Sequence, residues 1–153
     1  MSITIDQAVW SQIQRHLEAA YPEEGAGLLL GHVQPCHRQV VALLPLVNSR
    51  EAEVRHNRYL ISAQDMLRAE QEAESRDLNV IGVFHSHPDH SDHPSEFDRE
   101  WALPWFSYVI TSVVNGGASG GRSWRLREDR SAFDEEQIEI LEGTSPLKNE
   151  CKE

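Results

Sequence analysis

Val9, Trp10, Ile13, Leu17 and Ala20 recur at spacings of three and four, which places them on one stripe of a helix. Thr4, with Gln7 three residues on, has the form of an N-terminal capping box, so the pattern predicts a helix from about Asp6 to about Ala20. After Pro22 the pattern changes. Gly25–Leu30 and Gln39–Leu44 are short apolar runs on either side of a break containing Pro35, and they predict paired strands. Ser62 with Asp65 forms a second cap, ahead of a helix carrying Met66, Leu67, Ala69 and Ala73. Asp77–Asn79 ends that helix before Val80–Phe84, which reads as a buried strand. Ser107–Val114 is β-branched and apolar, and Asn115-Gly-Gly117 then leads into the alternating Ser123–Arg127, the pattern of a hairpin.

Helices interleaved with largely buried strands predict one α/β domain, its mixed, curved sheet flanked by helices. At 153 residues the chain has room for one core, with no internal repeat or linker. The domain is expected over residues 1–142, and residues 143–153 form a polar tail expected to be disordered.

Composition narrows the function. No apolar run nears the roughly 18 residues of a membrane span, and the N-terminus lacks a secretory signal, so a soluble, cytoplasmic protein is expected, with no membrane partner. Cys36 and Cys151 are few and far apart, which predicts unpaired cysteines in a reducing compartment. A formal charge of −11 argues against nucleic acid as a partner, because phosphate binding needs clustered Lys and Arg.

Candidate chemistry is concentrated in His85-Ser-His-Pro-Asp-His-Ser-Asp-His-Pro-Ser-Glu-Phe-Asp98, which holds four of the chain's eight histidines. His85 and His87 follow directly on a predicted strand. In extended backbone, residues two apart point to the same side, so both imidazoles can converge on one ion. Zinc takes nitrogen, sulfur or carboxylate ligands, and a catalytic site keeps a position for water, so a third protein ligand is needed, which Asp98 can supply. Ser95-Glu-Phe-Asp98 also has the form of a helix cap. Both readings hold together if the helix runs on through Arg99, Trp101 and Leu103 and carries Asp98 in its first turn. The competing reading is a solvated loop with scattered histidines. Asp89, His90, Asp92 and His93 could build a second metal site, but such residues are more often solvated or in contact with substrate. Gly117-Ala-Ser-Gly-Gly121 matches a nucleophile-elbow pattern but leads into a strand, and neither a His-Glu-x-x-His helix nor the paired cysteines of a zinc deaminase is present. Trp101, Trp105 and Phe106 could anchor a partner, although core packing is the favoured expectation for them.

His85-x-His87, seven residues, Ser95, two residues, Asp98 resembles the signature of the JAMM metalloproteases, also called MPN-plus or Mov34/PAD-1 proteins. Pro22-Glu-Glu-Gly-Ala-Gly-Leu-Leu-Leu-Gly31 is similar to the family's upstream acidic motif, with Glu24 in the place of its acid. Residue physics alone does not choose between Glu23 and Glu24. One departure is Ala26, where bacterial members often carry cysteine; it is expected to alter packing only.

The resemblance implies a compact prokaryotic MPN/JAMM-type domain of cytidine-deaminase-like architecture. It implies one zinc ion held by His85, His87 and Asp98, with Glu24 as general base and Ser95 assisting at the oxyanion. It further implies an isopeptidase or peptidase that cleaves after the C-terminal Gly-Gly of a ubiquitin-like or sulfur-carrier protein, and it leaves a homodimer open. The rival readings are a noncatalytic MPN scaffold and a zinc hydrolase of small peptides.

Overall fold

A computed structural model describes residues 1–46 and 61–142 of the chain. The expected tail from Gly143, Cys151 included, lies outside the described residues. The described elements are β1 (Ser2–Asp6), α1 (Gln7–Ala20), β2 (Ala26–Gln34), β3 (His37–Leu46), α2 (Ala63–Ser75), β4 (Asn79–Pro88), α3 (Glu96–Trp101), β5 (Ser107–Val114), β6 (Gly117–Leu126) and β7 (Phe133–Leu141).

The predicted helices and strands are present, and two further strands join them. Thr4 lies in β1 and caps nothing; its hydroxyl sits 3.1 Å from His37 Nε2, and Asp6 is the N-cap of α1. Ser62 and Asp65 form the full reciprocal capping box ahead of α2. The chain turns from β5 into β6 as a hairpin, so Gly117–Gly121 belongs to a strand, not to a nucleophile elbow.

The sheet is mixed, as expected, and closes into a ring in the order β1-β3-β2-β4-β5-β6-β7, β7 pairing back onto β1. The closure was not part of the sequence expectation. Pairs β2–β3, β2–β4, β5–β6 and β6–β7 are antiparallel, and β1–β3, β1–β7 and β4–β5 are parallel. Helix α1 packs against β1, β3, β4, β5, β6 and β7, which is open only to a helix on the concave side of the sheet. Its Val9, Trp10, Ile13 and Leu17 share a core with Ile3, Ile5, Leu29, Val40, Ile81, Phe84, Val109 and Val113. Helix α2 covers the other face, where Ala69 and Ala73 meet Leu28, Leu30, Val80 and Val83.

A register shift where β4 meets β2 skips Ile81, so Ile81 and Phe84, three apart, face the same core. The same shift turns His85 and His87 to the α2 side, away from Phe84. Gly27 is required here, because a Cβ on it would stand 2.2 Å from the Phe84 ring.

A buried polar lattice joins the strands on the concave side. Arg38 donates to the carbonyls of Ile81 (2.7 Å) and Trp105 (2.6 Å), and Glu136 accepts from Ser107 and Ser123 (2.8 Å each). Burial pushes the Arg38 pKa down to about 10. Two expectations need correction. Cys36 is disulfide-bonded, so it is not unpaired as composition suggested. Phe106 is buried, but Trp101 and Trp105 are 62% and 50% exposed and so are not core residues. Among the described residues, no helix is long and apolar enough to cross a membrane.

Candidate metal centre

Strand β4 runs beyond the expected Phe84 to Pro88, because β5 continues to pair with it there: His85 opposite Ile110, His87 opposite Ser112. Both histidines therefore project from regular extended backbone, with ring centroids 5.1 Å apart. Asp98 arrives from α3. Ser95 caps that helix, its hydroxyl accepting from Asp98 N–H (3.1 Å) while the Asp98 carboxylate accepts from Ser95 N–H (2.7 Å). The helix stops at Trp101, short of the expected Leu103.

His85, His87 and Asp98 are buried, and each offers a ligand atom within 4.8 Å of the others. His87 Nε2 lies 3.1 Å from Asp98 Oδ2, and His85 Nε2 lies 3.5 Å from Oδ1. Tetrahedral zinc with bonds of about 2.0–2.1 Å sets its ligand atoms about 3.3 Å apart, so this donor set fits such an ion. His87 Nδ1 lies 2.8 Å from the Ser91 carbonyl, which can only accept; Nδ1 therefore carries a proton and Nε2 is left to face the site.

Glu24 lines the same cleft, a cavity of about 690 Å³ shared with His87, His93, Ser95 and Phe97. Its placement depends on Ser86, the residue between the two histidines, which sequence reading passed over. The Ser86 side chain points away from the histidines and accepts from Gly25 N–H (2.9 Å), while Ser86 N–H donates to the Gly25 carbonyl (3.1 Å). The acid's neighbour is thus pinned to β4, the strand that carries both histidines. The signal was available in His-Ser-His, since the middle residue of a strand triplet faces the other side. Ala26 is buried directly across from His85, so the departure from the family pattern lies next to a candidate ligand.

Three of the other loop residues contact neighbouring segments. Asp89 accepts from the Tyr21 hydroxyl (2.8 Å) and Asn115 N–H (3.1 Å), Asp92 pairs with Arg122 (3.2 Å), and the His93 ring lies 5.2 Å from that of Trp124. Among the described residues, Asp89, His90, Asp92 and His93 form no second metal-capable cluster.

The family of prokaryotic homologs of the JAB domain matches residues 6–127. The chain belongs to this family. It is 28% identical to the probable TtuB-protein conjugate cleaving protease of Thermus thermophilus, over 81% of this chain and 76% of that protein. A solution structure from Salinibacter ruber is 41% identical and superposes with a TM-score of 0.71, covering 97% of this chain and 96% of that one. A JAB1/MPN domain protein from Archaeoglobus fulgidus shares the fold at 17% identity, with a TM-score of 0.54 over 90% of this chain and 96% of that one. The fold is therefore a single JAB/MPN domain with a mixed sheet and few helices.

The electrostatics of this JAB site give a pH prediction. Burial pushes the His85 pKa down to about 4, so His85 is neutral and ready to ligate near pH 7. Burial also disfavours charge on His87, but the hydrogen bond and charge of Asp98 outweigh it and raise the pKa above 6.5. Burial would raise Asp98, yet the two histidines and Ser95 N–H hold it well below the usual carboxylate range. In metal-free protein the unfolded chain binds the His85 proton more readily, so stability rises with pH from about 4 to 6.5. Above 6.5 the folded chain holds the His87 proton more tightly, so that contribution is lost as pH rises through the folded His87 pKa. A metal held by His87 would replace that proton, so a metal-loaded protein is expected to keep gaining stability above pH 6.5. Melting temperatures of the two forms across pH 4–9 check this; parallel curves would contradict it.

Proposed function

We propose that the chain is a zinc-dependent isopeptidase or peptidase that hydrolyses the amide bond after the C-terminal Gly-Gly of a ubiquitin-like or sulfur-carrier protein. The observation that carries the reading is the convergence of His85, His87 and Asp98 at the wall of a cleft that His87 and Glu24 both line. The Thermus relative, named for cleaving TtuB-protein conjugates, supports the substrate class.

His85, His87 and Asp98 would hold one zinc ion. When bound, zinc polarises the scissile carbonyl and lowers the pKa of water to about 7. Glu24, in the same cleft as His87, takes a proton from the attacking water and returns it to the leaving amine. Ser95 has two roles that compete. Its hydroxyl donates to Asp98 Oδ2 at 3.0 Å and must turn away to reach a substrate oxygen. Ser95→Ala is therefore expected to cost about 1 kcal/mol of stability through the lost cap and to slow turnover about a hundredfold. Steady-state kinetics and thermal melting check the two losses; unchanged turnover would leave Ser95 a cap alone.

The substrate assignment is tested on a ubiquitin-like carrier whose C-terminal Gly-Gly is joined by an amide to a reporter, with product masses read by mass spectrometry. Chelator-sensitive release after the second glycine is expected. Turnover of short peptides but not of the carrier would favour a small-peptide hydrolase. Inertness towards both, with zinc bound, would favour a scaffold.

A further inference from the structure

Arg130 occupies a backbone position that suits glycine. It lies between β6 and β7 with φ of 62°, in the left-handed region that a side chain disfavours. The turn itself does not need an arginine side chain: Arg130 N–H donates to the Arg127 carbonyl (2.8 Å), Arg127 N–H to the Ala132 carbonyl (2.9 Å), and Asp129 accepts from Ser131 N–H (2.9 Å). A strained position that keeps a long side chain points to a use for that side chain.

The guanidinium reaches across to the ligand-bearing helix α3. Nη1 donates to the Ala102 carbonyl at 2.8 Å, and Nη2 donates to the carbonyls of Arg99 (3.0 Å) and Glu100 (2.9 Å). A helix of six residues makes few internal bonds, and the carbonyls at its C-terminal end lack partners within it. One planar, permanently charged fork fills three of them, and its charge suits the negative end of the helix. The chain leaving the helix is held as well, because Leu103 N–H donates to the buried Tyr108 hydroxyl at 2.7 Å. At the other end Ser95 forms the capping box. Asp98 sits between these two fastenings, directly before Arg99, whose carbonyl Arg130 holds, and it makes no hydrogen bond of its own to Arg130.

We propose that Arg130 is a positioning residue for the metal centre: by gripping the C-terminal end of α3 it holds the Asp98 carboxylate against His85 and His87. It touches neither ligand nor substrate and acts only through the helix. The inference rests on the proposed zinc site, and its test is chosen so that the two can fail separately.

The experiment compares the full chain with Arg130→Gly and Arg130→Lys. Glycine accepts the backbone at position 130 without strain, so the turn is kept while the grip is lost. Lysine keeps the charge and can reach a single carbonyl. Zinc affinity is measured by chelator competition, ligand geometry by the visible absorption of the cobalt-substituted protein, and folding by melting of the metal-free form. The expected result is a zinc affinity lower by about 10- to 100-fold in Arg130→Gly, with an altered cobalt spectrum, and partial recovery in Arg130→Lys. Wild-type affinity and spectrum in a folded Arg130→Gly protein would overturn the proposal. If Arg130→Gly does not fold, Arg130→Lys decides alone: a several-fold loss of affinity sustains the proposal, and wild-type affinity overturns it. Failure of the wild-type chain to bind zinc would instead overturn the metal site on which the inference rests.

Discussion

Glu24→Gln is expected to lower turnover of a Gly-Gly carrier amide by about a thousandfold while the protein keeps its zinc. Glutamine has the shape of glutamate but cannot take up a proton at the working pH, so the change removes the base and little else. Glu24 is outside the ligand cluster, which is why the metal should stay. The charge of Glu24 also helps to raise the His87 pKa, so its loss eases deprotonation of that residue while removing some attraction for a dication, and the zinc is kept because the three donors remain. Steady-state kinetics with zinc content on the same preparation checks both halves. Wild-type turnover would move the base elsewhere, and loss of zinc would make Glu24 a ligand.

His85→Ala is expected to fail in the opposite way, losing the metal and with it all hydrolysis above background. His85 is fully buried and neutral near pH 7, and its removal leaves two protein ligands where a catalytic zinc needs three. Metal analysis after desalting should find zinc near zero, and added zinc should restore activity only at concentrations far above those that serve the wild type. Full zinc content with full activity would exclude His85 from the centre. The two variants together separate metal binding from proton transfer, which neither does alone.

The difference between local and distant information explains what could be read from the sequence. The caps at Ser62 and Ser95 and the helical stripe of α1 are set by neighbours three or four residues apart, and they stand as expected. The spacing of His85, His87 and Asp98 was legible for the same reason, since one strand and one capped helix turn carry all three. Strand β1 was hidden because Thr4 and Gln7 mimic a cap, although Ile3 and Ile5 already alternate as a strand would. Strand β7 was hidden by its charges. In Phe133–Leu141 the buried residue is Glu136, whose partners Ser107 and Ser123 lie on other strands. Closure of the sheet depends on both of these strands, so it could not be foreseen either.

Choosing Glu24 over Glu23 required the family resemblance, because both are acids in the same segment. The structure puts Glu24 in the cleft through the pairing of Gly25 with Ser86, a contact across 61 residues. Arg130 is a harder case still. Nothing local marks its side chain as reaching the end of α3, and only the folded turn brings the two together.

The most direct test of the central claim is the recovery of Gly-Gly amide hydrolysis as zinc is added back to chelator-stripped protein. Activity is expected to rise linearly from zero and to level off at one zinc per chain. Full activity in the stripped protein, or a break at two zinc ions, would contradict a single catalytic metal held by His85, His87 and Asp98.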